Sequence, residues 1–453
     1  MKKVMRKMIK TVCVLCALLT VFVSCARGGI PAPVTDGQTE SETTKTLTPI
    51  PHEEAKTLLE NADLMRAFSQ NVTLPRFESE AFRDAARKFD VALFQKIALN
   101  NRGKNLIVSP LSVMLALAMT AQGAEGQTKE EMLRLLGDGM TLNELNENLA
   151  AYTARLKSDD YTRISYADAL FLNETGGFAN AVKEAFLQAN ADYYRAGVFR
   201  LPFEDRAAAA INDWVKEHTD GMIEKIVDRL DPAAVMALLN ALCFEASWYS
   251  TYKEENVKQG EFRTSAGAVT VEMLHGTVSD YLEDREGGAV GFMKDYADPR
   301  YTFTVLLPDE GVDVFDYIAS LTPERLKNIF SGCRSGIVTT AMPKFKSDFS
   351  VNLNAILKDL GMPTAFDAVR ADFSGMADWN ETLYIGKVLH KGHIEVNETG
   401  TSAAAATAVL MYSGSIGGIE EYTVILDRPF VYMITDTLSG LPLFMGVLNT
   451  VEN

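Results

Sequence analysis

The 453-residue chain carries 60 Asp and Glu residues against 44 Lys and Arg, which gives a formal net charge of −16. With 47 % hydrophobic and 23 % charged residues, its composition suits a folded protein with a large core. No Lys/Arg-rich run interleaved with aromatics occurs outside the first ten residues, so we expect no nucleic-acid partner. No apolar run reaches the roughly 18 residues that a membrane-spanning helix requires.

The first 24 residues have the pattern of an export signal. Five basic residues precede an apolar stretch, Thr11 to Val23, that is too short to span a bilayer. The stretch ends Phe22-Val-Ser-Cys25, which resembles the bacterial lipobox, in which the cysteine is acylated. We therefore predict a lipoprotein signal peptide at 1–24 and a lipid anchor on Cys25. The alternative is an ordinary signal peptide cut near Ala26, which would leave Cys25 as a spare thiol.

This signal predicts export to the cell envelope, as an outer-membrane or cell-surface lipoprotein held to the membrane by its lipid. Residues 25–78 are rich in Thr, Ser, Pro and Glu, which predicts a flexible tether, and the folded domain is expected at 79–453. After Cys25 the only cysteines are Cys243 and Cys333. A bridge between them is possible in an oxidising envelope, but Cys243 lies in an apolar run that favours a small buried side chain.

The domain begins with helical patterns and continues with strands. Phe82, Ala86, Phe89, Leu93 and Ile97 recur at helical spacing from Ser79 onward. Further helices are predicted at 111–120, at 128–136 with a capping box of Thr128 and Glu131, and at 207–219. Strands are predicted at 235–244, 301–307, 337–341, 383–396, 424–434 and 443–448. Because a regular βαβ period is missing, we predict an α+β fold rather than a doubly wound sheet.

A search for catalytic and metal-binding patterns finds no candidate. The chain has five histidines and contains neither a Gly-x-Ser-x-Gly elbow, nor a His-Glu-x-x-His helix, nor a P-loop. His390 and His393 lie in one predicted strand, where residues three apart point to opposite faces, so joint metal ligation is disfavoured. We expect no enzyme activity, no cofactor and no metal, although a site built from scattered carboxylates remains an open alternative.

The unusual feature is the small-residue segment from Glu398 to Ser415, Glu-Thr-Gly-Thr-Ser-Ala-Ala-Ala-Ala-Thr-Ala-Val-Leu-Met-Tyr-Ser-Gly-Ser. Helix propensity alone predicts an Ala-rich helix from Ser402 to Leu410. Small side chains with some β-compatibility would also let the segment slide between existing strands with few clashes. The flanking sequence favours the second interpretation.

The chain from about Ser79 to the C-terminus resembles the serpin family, and the resemblance rests on seven ordered blocks. These are Asn105-Leu-Ile-Val-Ser-Pro-Leu-Ser112; Ile211-Asn-Asp-Trp-Val215; Asn240-Ala241 with Phe244 and Trp248; Pro343-Lys-Phe345; His390-Lys391 with Ile394-Glu-Val-Asn-Glu398 and Gly400-Thr401; Val424-Ile-Leu-Asp-Arg-Pro-Phe-Val-Tyr-Met-Ile434; and Pro442-Leu-Phe-Met-Gly446. The family implies a large central mixed β-sheet, N-terminal helices, further sheets and an exposed C-terminal reactive loop. Cleavage of that loop would let it insert into the central sheet.

The resemblance assigns roles to particular positions. The shutter, where central strands would part, is matched by Ser109, Ser112, Asn240 and His390. The breach, where insertion would start, is matched by Trp248, Lys344 and Glu398, the last two as an ion pair. The hinge is matched by Glu398, Gly400, Thr401, Ala403, Ala404, Ala405, Ala406 and Thr407. Without the family, Ser109 would be an ordinary residue before a helix-starting proline and His390 a satisfied core side chain.

By the same resemblance the chain would be a monomeric suicide inhibitor that forms a covalent acyl complex with a serine protease. Its hinge lacks bulky, charged or proline residues, as in trapping members of the family. Counting 17 residues from Glu398 places the cut at Gly414-Ser415, which suits elastase-like or subtilisin-like proteases. The loop is about four residues longer than is usual, so Tyr412 or Ser413 could be the cut residue, and Tyr412 would favour chymotrypsin-like enzymes. The alternative function is a non-inhibitory, surface-binding lipoprotein of the same fold.

Overall fold

The computed structural model describes residues 15–25, 51–64, 68, 70–219, 221, 223–400 and 420–451. Its α-helices are α1 (His52–Ala62), α2 (Glu80–Asn100), α3 (Pro110–Ala121), α4 (Gly126–Gly137), α5 (Leu142–Arg155), α6 (Glu184–Tyr194), α7 (Asp205–His218), α8 (Val314–Ser320), α9 (Pro323–Ser331) and α10 (Asn354–Asp359). None of the helices in this part of the chain has the length and apolarity to cross a membrane.

The strands are β1 (Leu15–Cys25), β2 (Leu106–Val108), β3 (Thr162–Asn173), β4 (Gly197–Leu201), β5 (Ala234–Ala246), β6 (Val257–Thr264), β7 (Gly267–Asp284), β8 (Ala289–Asp295), β9 (Tyr301–Pro308), β10 (Arg334–Pro343), β11 (Phe345–Asn352), β12 (Leu383–Val396), β13 (Glu421–Ile425), β14 (Phe430–Asp436) and β15 (Pro442–Leu448). Six of them form one sheet in the order β11-β12-β1-β5-β3-β4. The others form a second sheet in the order β13-β10-β7-β8-β9-β14-β15-β2, with β6 paired to β7.

Helix α3 lies in the main core, where it contacts β5 and β1 of the six-stranded sheet and β15 of the other sheet. Its sequence is apolar all round, and every residue from Pro110 to Ala121 is buried, as expected for a helix enclosed on all sides. Ser109 starts the helix: its hydroxyl accepts a hydrogen bond from the Ser112 N–H at 3.2 Å, and proline occupies the first helical position.

The opposite face of the six-stranded sheet carries α7 and α1. Residues of β5 alternate between the two cores: Leu238 and Leu242 belong to the main core, whereas Leu239 and Cys243 belong to the cluster that includes α7. This is the period of two that a strand buried on both faces requires. Cys243 is buried, whereas Cys333 is partly exposed and is a free thiol, so the two cysteines are not bridged to each other.

The α+β architecture predicted from the sequence is confirmed, and several details are corrected. The predicted strand 424–434 is two strands, β13 and β14, because the chain breaks at Asp427-Arg-Pro429, where proline cannot continue a ladder. The predicted capping box of Thr128 and Glu131 is wrong: α4 begins at Gly126, and Glu131 instead accepts hydrogen bonds from the backbone N–H and hydroxyl of Thr364. Strands β3, β4, β6, β7, β8 and β11 were not predicted.

The predicted flexible tether at 25–78 is wrong for residues 52–62, which form α1. Ala55, Leu59 and Ala62 of α1 are buried in the same cluster as Ile211 and Trp214 of α7. Helical spacing of these small and apolar residues supplies the buried face, and composition alone did not reveal it.

Candidate functional site

The segment that follows β12 makes a tight reversal over the end of β5. Gly400 forms antiparallel bridges to Ser247 and to Asn397, and the Trp248 N–H donates to the Thr399 carbonyl at 3.1 Å. The φ angle of Gly400 is 112°, and a Cβ there would lie 2.5 Å from the Trp248 nitrogen and 2.6 Å from the Ala246 carbonyl oxygen. Only glycine fits, both for conformation and for space.

Trp248, Lys344 and Glu398 come together beside this reversal. The Lys344 Nζ lies 2.7 Å from Glu398 Oε1 and 2.9 Å from Glu272 Oε2. Burial is the largest single influence and opposes the charge on Glu398, but the hydrogen bond from Lys344, a backbone hydrogen bond and the charge of Lys344 together outweigh it, so the pKa of Glu398 lies below its usual value. The Trp248 indole N–H donates to the Asn397 carbonyl at 3.0 Å, and its ring stacks on Tyr296 at 4.7 Å. The structure thus assembles the residues to which resemblance assigned the breach.

Below the reversal, β1 occupies a position between β12 and β5 and runs antiparallel to both. A chain that continued from Gly400 antiparallel to β12 would run in the same direction as β1 and beside the same two strands. The position between β5 and β12, called the slot below, therefore accepts a strand of at least 11 residues with a ladder on each side.

The shutter residues surround the middle of the slot. In register, Leu19 of β1 is opposite His390 on one side and Asn240 on the other. The His390 Nε2 accepts a hydrogen bond from the Ser109 N–H at 3.2 Å. His390 Nδ1, Asn240 Oδ1 and Ser112 Oγ are buried and have no hydrogen-bond partner among the residues that the structure describes. Burial lowers the pKa of His390 to about 3. The imidazole is therefore neutral, and because Nε2 accepts, Nδ1 carries the proton.

His393 does not share this environment. Its Nδ1 lies 2.7 Å from Asp348 Oδ1 of β11, whereas His390 is fully buried beneath the sheet. The two side chains point to opposite faces, as strand alternation predicts. Among the residues that the structure describes, no group of three or more His, Cys, Asp and Glu side chains could hold a metal ion.

The hinge from Thr401 to Thr407 and the candidate cut residues Tyr412, Ser413, Gly414 and Ser415 lie outside the described residues, so these assignments stay predictions. The predicted lipidation site, Cys25, lies at the end of β1, opposite Leu383 of β12.

One buried group next to the shutter was missed from sequence. Asp168 of β3 is 6 % exposed, and its Oδ1 accepts a hydrogen bond from the Asn240 amide at 2.6 Å. Burial raises the pKa of this carboxyl to about 7, although the Asn240 hydrogen bond lowers it in part. An acidic residue on the core-facing period of the strand Ile164-Ser-Tyr-Ala-Asp-Ala-Leu-Phe-Leu172 is the signal that could have identified it.

The comparisons with known proteins agree with this geometry. The family model described as Serpin (serine protease inhibitor) matches residues 84–451. The chain belongs to the serpin family. A serpin-like protein of Thermococcus kodakarensis is 32 % identical over 369 residues, which cover 80 % of this chain and 84 % of that protein. Membership of this family of protease inhibitors also agrees with the expectation that the chain is not an enzyme.

Solved serpin structures extend the likeness to the whole described domain. The native state of the thermophilic serpin tengpin has a TM-score of 0.76 and 34 % identity, and the match covers 86 % of this chain and 99 % of that one. Human thyroxine-binding globulin in complex with its ligand has a TM-score of 0.72 over 83 % of this chain and 100 % of that one. At 24 % identity, the globulin shows the shared fold alone.

The environment of Gly400 predicts that the hinge tolerates no side chain there. We expect Gly400→Ala to destabilise the native state by about 1–3 kcal/mol, because alanine meets both a disfavoured φ and neighbouring backbone. The measurement is the midpoint of the first denaturant-induced transition. Gly311→Ala is the matched control, since its φ is 85° but nothing lies within 4 Å of the added Cβ. Equal losses in the two variants would contradict a packing role at Gly400.

The buried carboxyl of Asp168 predicts a pH-dependent stability. Its folded pKa of about 7 lies above the unfolded value of about 3.9, so the native state retains a proton that the unfolded chain releases between these values. Stability should therefore fall as pH rises from about 4 to about 7. Asp168→Asn keeps the acceptor for Asn240 and removes the charge. The variant should have a higher melting temperature than the wild type at pH 8 and the same melting temperature at pH 4. A difference in melting temperature that stays constant between these pH values would contradict the assignment.

Proposed function

We propose that the mature chain is an irreversible inhibitor of serine proteases, which it traps by inserting its cleaved loop into the slot. The observation that carries the proposal is the reversal at Gly400, which directs the chain after β12 back toward the position between β12 and β5. Removal of the predicted leader would vacate that position. The small residues from Thr401 to Thr407 are compatible with a strand between two others.

The driving force for insertion would come from the backbone. About 14 inserted residues would gain partners on both sides, and a net gain of roughly 0.5–1.5 kcal/mol per hydrogen bond sums to a large free energy. Each inserted residue advances the strand by roughly 3.3 Å, so an acyl-enzyme attached to the cut end would travel about 50 Å. Displacement on that scale would deform the protease before its acyl bond is hydrolysed.

The target class rests on the loop sequence. A cut at Gly414-Ser415 would suit elastase-like or subtilisin-like enzymes, and one after Tyr412 would suit chymotrypsin-like enzymes. The mature chain should be mixed with each of the three proteases and examined on denaturing gels, with mass spectrometry of the released fragment. An SDS-stable complex supports trapping and identifies the bond. Clean cleavage without a complex would contradict trapping and favour a non-inhibitory surface protein.

Strand alternation provides a matched pair of hinge variants. Thr401, Ala403, Ala405 and Thr407 would alternate toward the sheet interior on insertion, and Ala404 would point outward. We expect Ala405→Arg to convert the inhibitor into a substrate, because an unpaired buried guanidinium costs several kcal/mol. Ala404→Arg should keep the complex. Both variants carry the same charge at adjacent positions, so identical behaviour on the gel would argue against insertion.

We also propose that Cys25 is lipidated and holds the inhibitor at the cell envelope. The lipobox-like Phe22-Val-Ser-Cys25 supports this, and the leader that precedes it has the charge and apolar length of an export signal. Metabolic labelling with an alkyne fatty acid should label the wild type in the membrane fraction. Cys25→Ser should lose the label and appear in the soluble fraction; a labelled Cys25→Ser protein would refute the assignment.

A further inference from the structure

A cleft of about 550 Å³ opens at the edge of the six-stranded sheet. Strand β4 pairs with β3 only from Ala169 onward, so within the described residues the earlier part of β3, residues 162–168, has β5 as its only strand neighbour. The cleft lies beside residues 162–168, and its volume falls within the range of small-molecule sites. The ends of α6 and α7, the start of β4 and residues that follow α1 contribute the rest of its lining.

The walls of the cleft are aromatic. They include Tyr166, Tyr194, Phe199 and Trp214, the last two only 7 % exposed. The Phe199 and Trp214 rings meet edge to face at 5.8 Å, and His218 stacks on Trp214 at 4.1 Å. Fixed aromatic rings of this kind attract cations through their electron-rich faces.

Asp168 lines the same cleft and has no cationic partner among the described residues. Its one described hydrogen bond is the 2.6 Å contact from the Asn240 amide. Two basic side chains also line the cleft, but Arg195 is exposed, and the His218 Nδ1 is held by the Trp214 carbonyl at 2.8 Å. A buried carboxylate without a counter-ion is costly, and a bound cation would remove that cost.

We propose that this cleft is a binding site for a small organic cation, a primary ammonium carried on an aromatic or apolar body. The ammonium would donate to Asp168, and the body would lie against Phe199 and Trp214. A metal ion is disfavoured there, because the described residues hold no cluster of three ligating side chains. Asp63, Gln70, Arg195 and His218 also line the cleft.

The test uses benzylammonium chloride and its neutral analogue, benzyl alcohol, with the full-length chain at pH 8. Titration calorimetry gives the affinities, and quenching of tryptophan fluorescence, compared between wild type and Trp214→Phe, places the ligand beside Trp214. We expect benzylammonium to bind at least about tenfold more tightly than benzyl alcohol, the factor that one charge-assisted hydrogen bond supplies. In Asp168→Asn that preference should disappear while benzyl alcohol binding stays unchanged.

A loss of binding in Asp168→Asn would not come from unfolding, because the variant should be at least as stable as the wild type at this pH. Equal affinity for the two compounds in the wild type would reduce the cleft to an apolar pocket and overturn the proposal. A preference for benzylammonium that survives in Asp168→Asn would also overturn it. Because no protease is present, the result is independent of whether the chain traps one.

Discussion

The constraint on which the rest of the fold depends is the pairing of backbone groups at the slot between β5 and β12. Each of these strands presents a row of N–H and C=O groups to that position, and both are covered by helices and by the second sheet, away from water. Buried backbone groups must be paired. The sheet can therefore exist either with an additional strand in the slot or with β5 and β12 joined directly. Such a sheet is able to accept a strand between β5 and β12.

The hydrogen bonding of the shutter side chains also depends on whether the slot is filled. With β1 in the slot, His390 and Asn240 lie on strands separated by two spacings, roughly 9.6 Å. Within the described part of the chain, each of them has one buried atom without a hydrogen-bond partner. Those atoms are complementary, since the neutral imidazole carries a proton on Nδ1 and the amide Oδ1 accepts one. Direct pairing of β5 with β12 would halve the separation. In a directly paired sheet the two side chains could form a hydrogen bond that a filled slot prevents, and this bond would link the width of the sheet to the pairing of polar groups in its core.

Much of this arrangement could be predicted from the sequence, but through the family rather than through periodicity. The blocks around Ser109, Asn240 and His390 lie far apart in the chain, and only a known topology brings them together. Helices with clear caps or apolar faces, such as α3 and α7, were found to within two residues. Strands β6, β7 and β8 of the second sheet were missed, because many of their residues are polar or half-buried and show no clean alternation.

Other features required the three-dimensional structure. That Gly400 is enclosed by the backbone of Ala246 and Trp248 depends on a contact across more than 150 positions of sequence, and no local pattern encodes it. The buried state of Asp168 likewise follows from β5 on one side and the ends of α6 and α7 on the other. Residues 52–62 of the predicted tether form α1 because Leu59 packs against an apolar surface on α7. Composition cannot reveal such a surface.

If the loop inserts as proposed, mechanism and target are separable, because different surroundings would constrain the two ends of the loop. The hinge must fit a slot that belongs to the chain itself, so its allowed residues follow from strand alternation and from the two ladders that the slot offers. The recognition end must fit the pocket of another protein, and nothing in the sheet determines what that pocket prefers. A longer recognition end with several glycines would change which bond is presented, whereas the proposed path from Gly400 into the slot would stay the same. The fold therefore specifies how a protease would be held more closely than it specifies which protease.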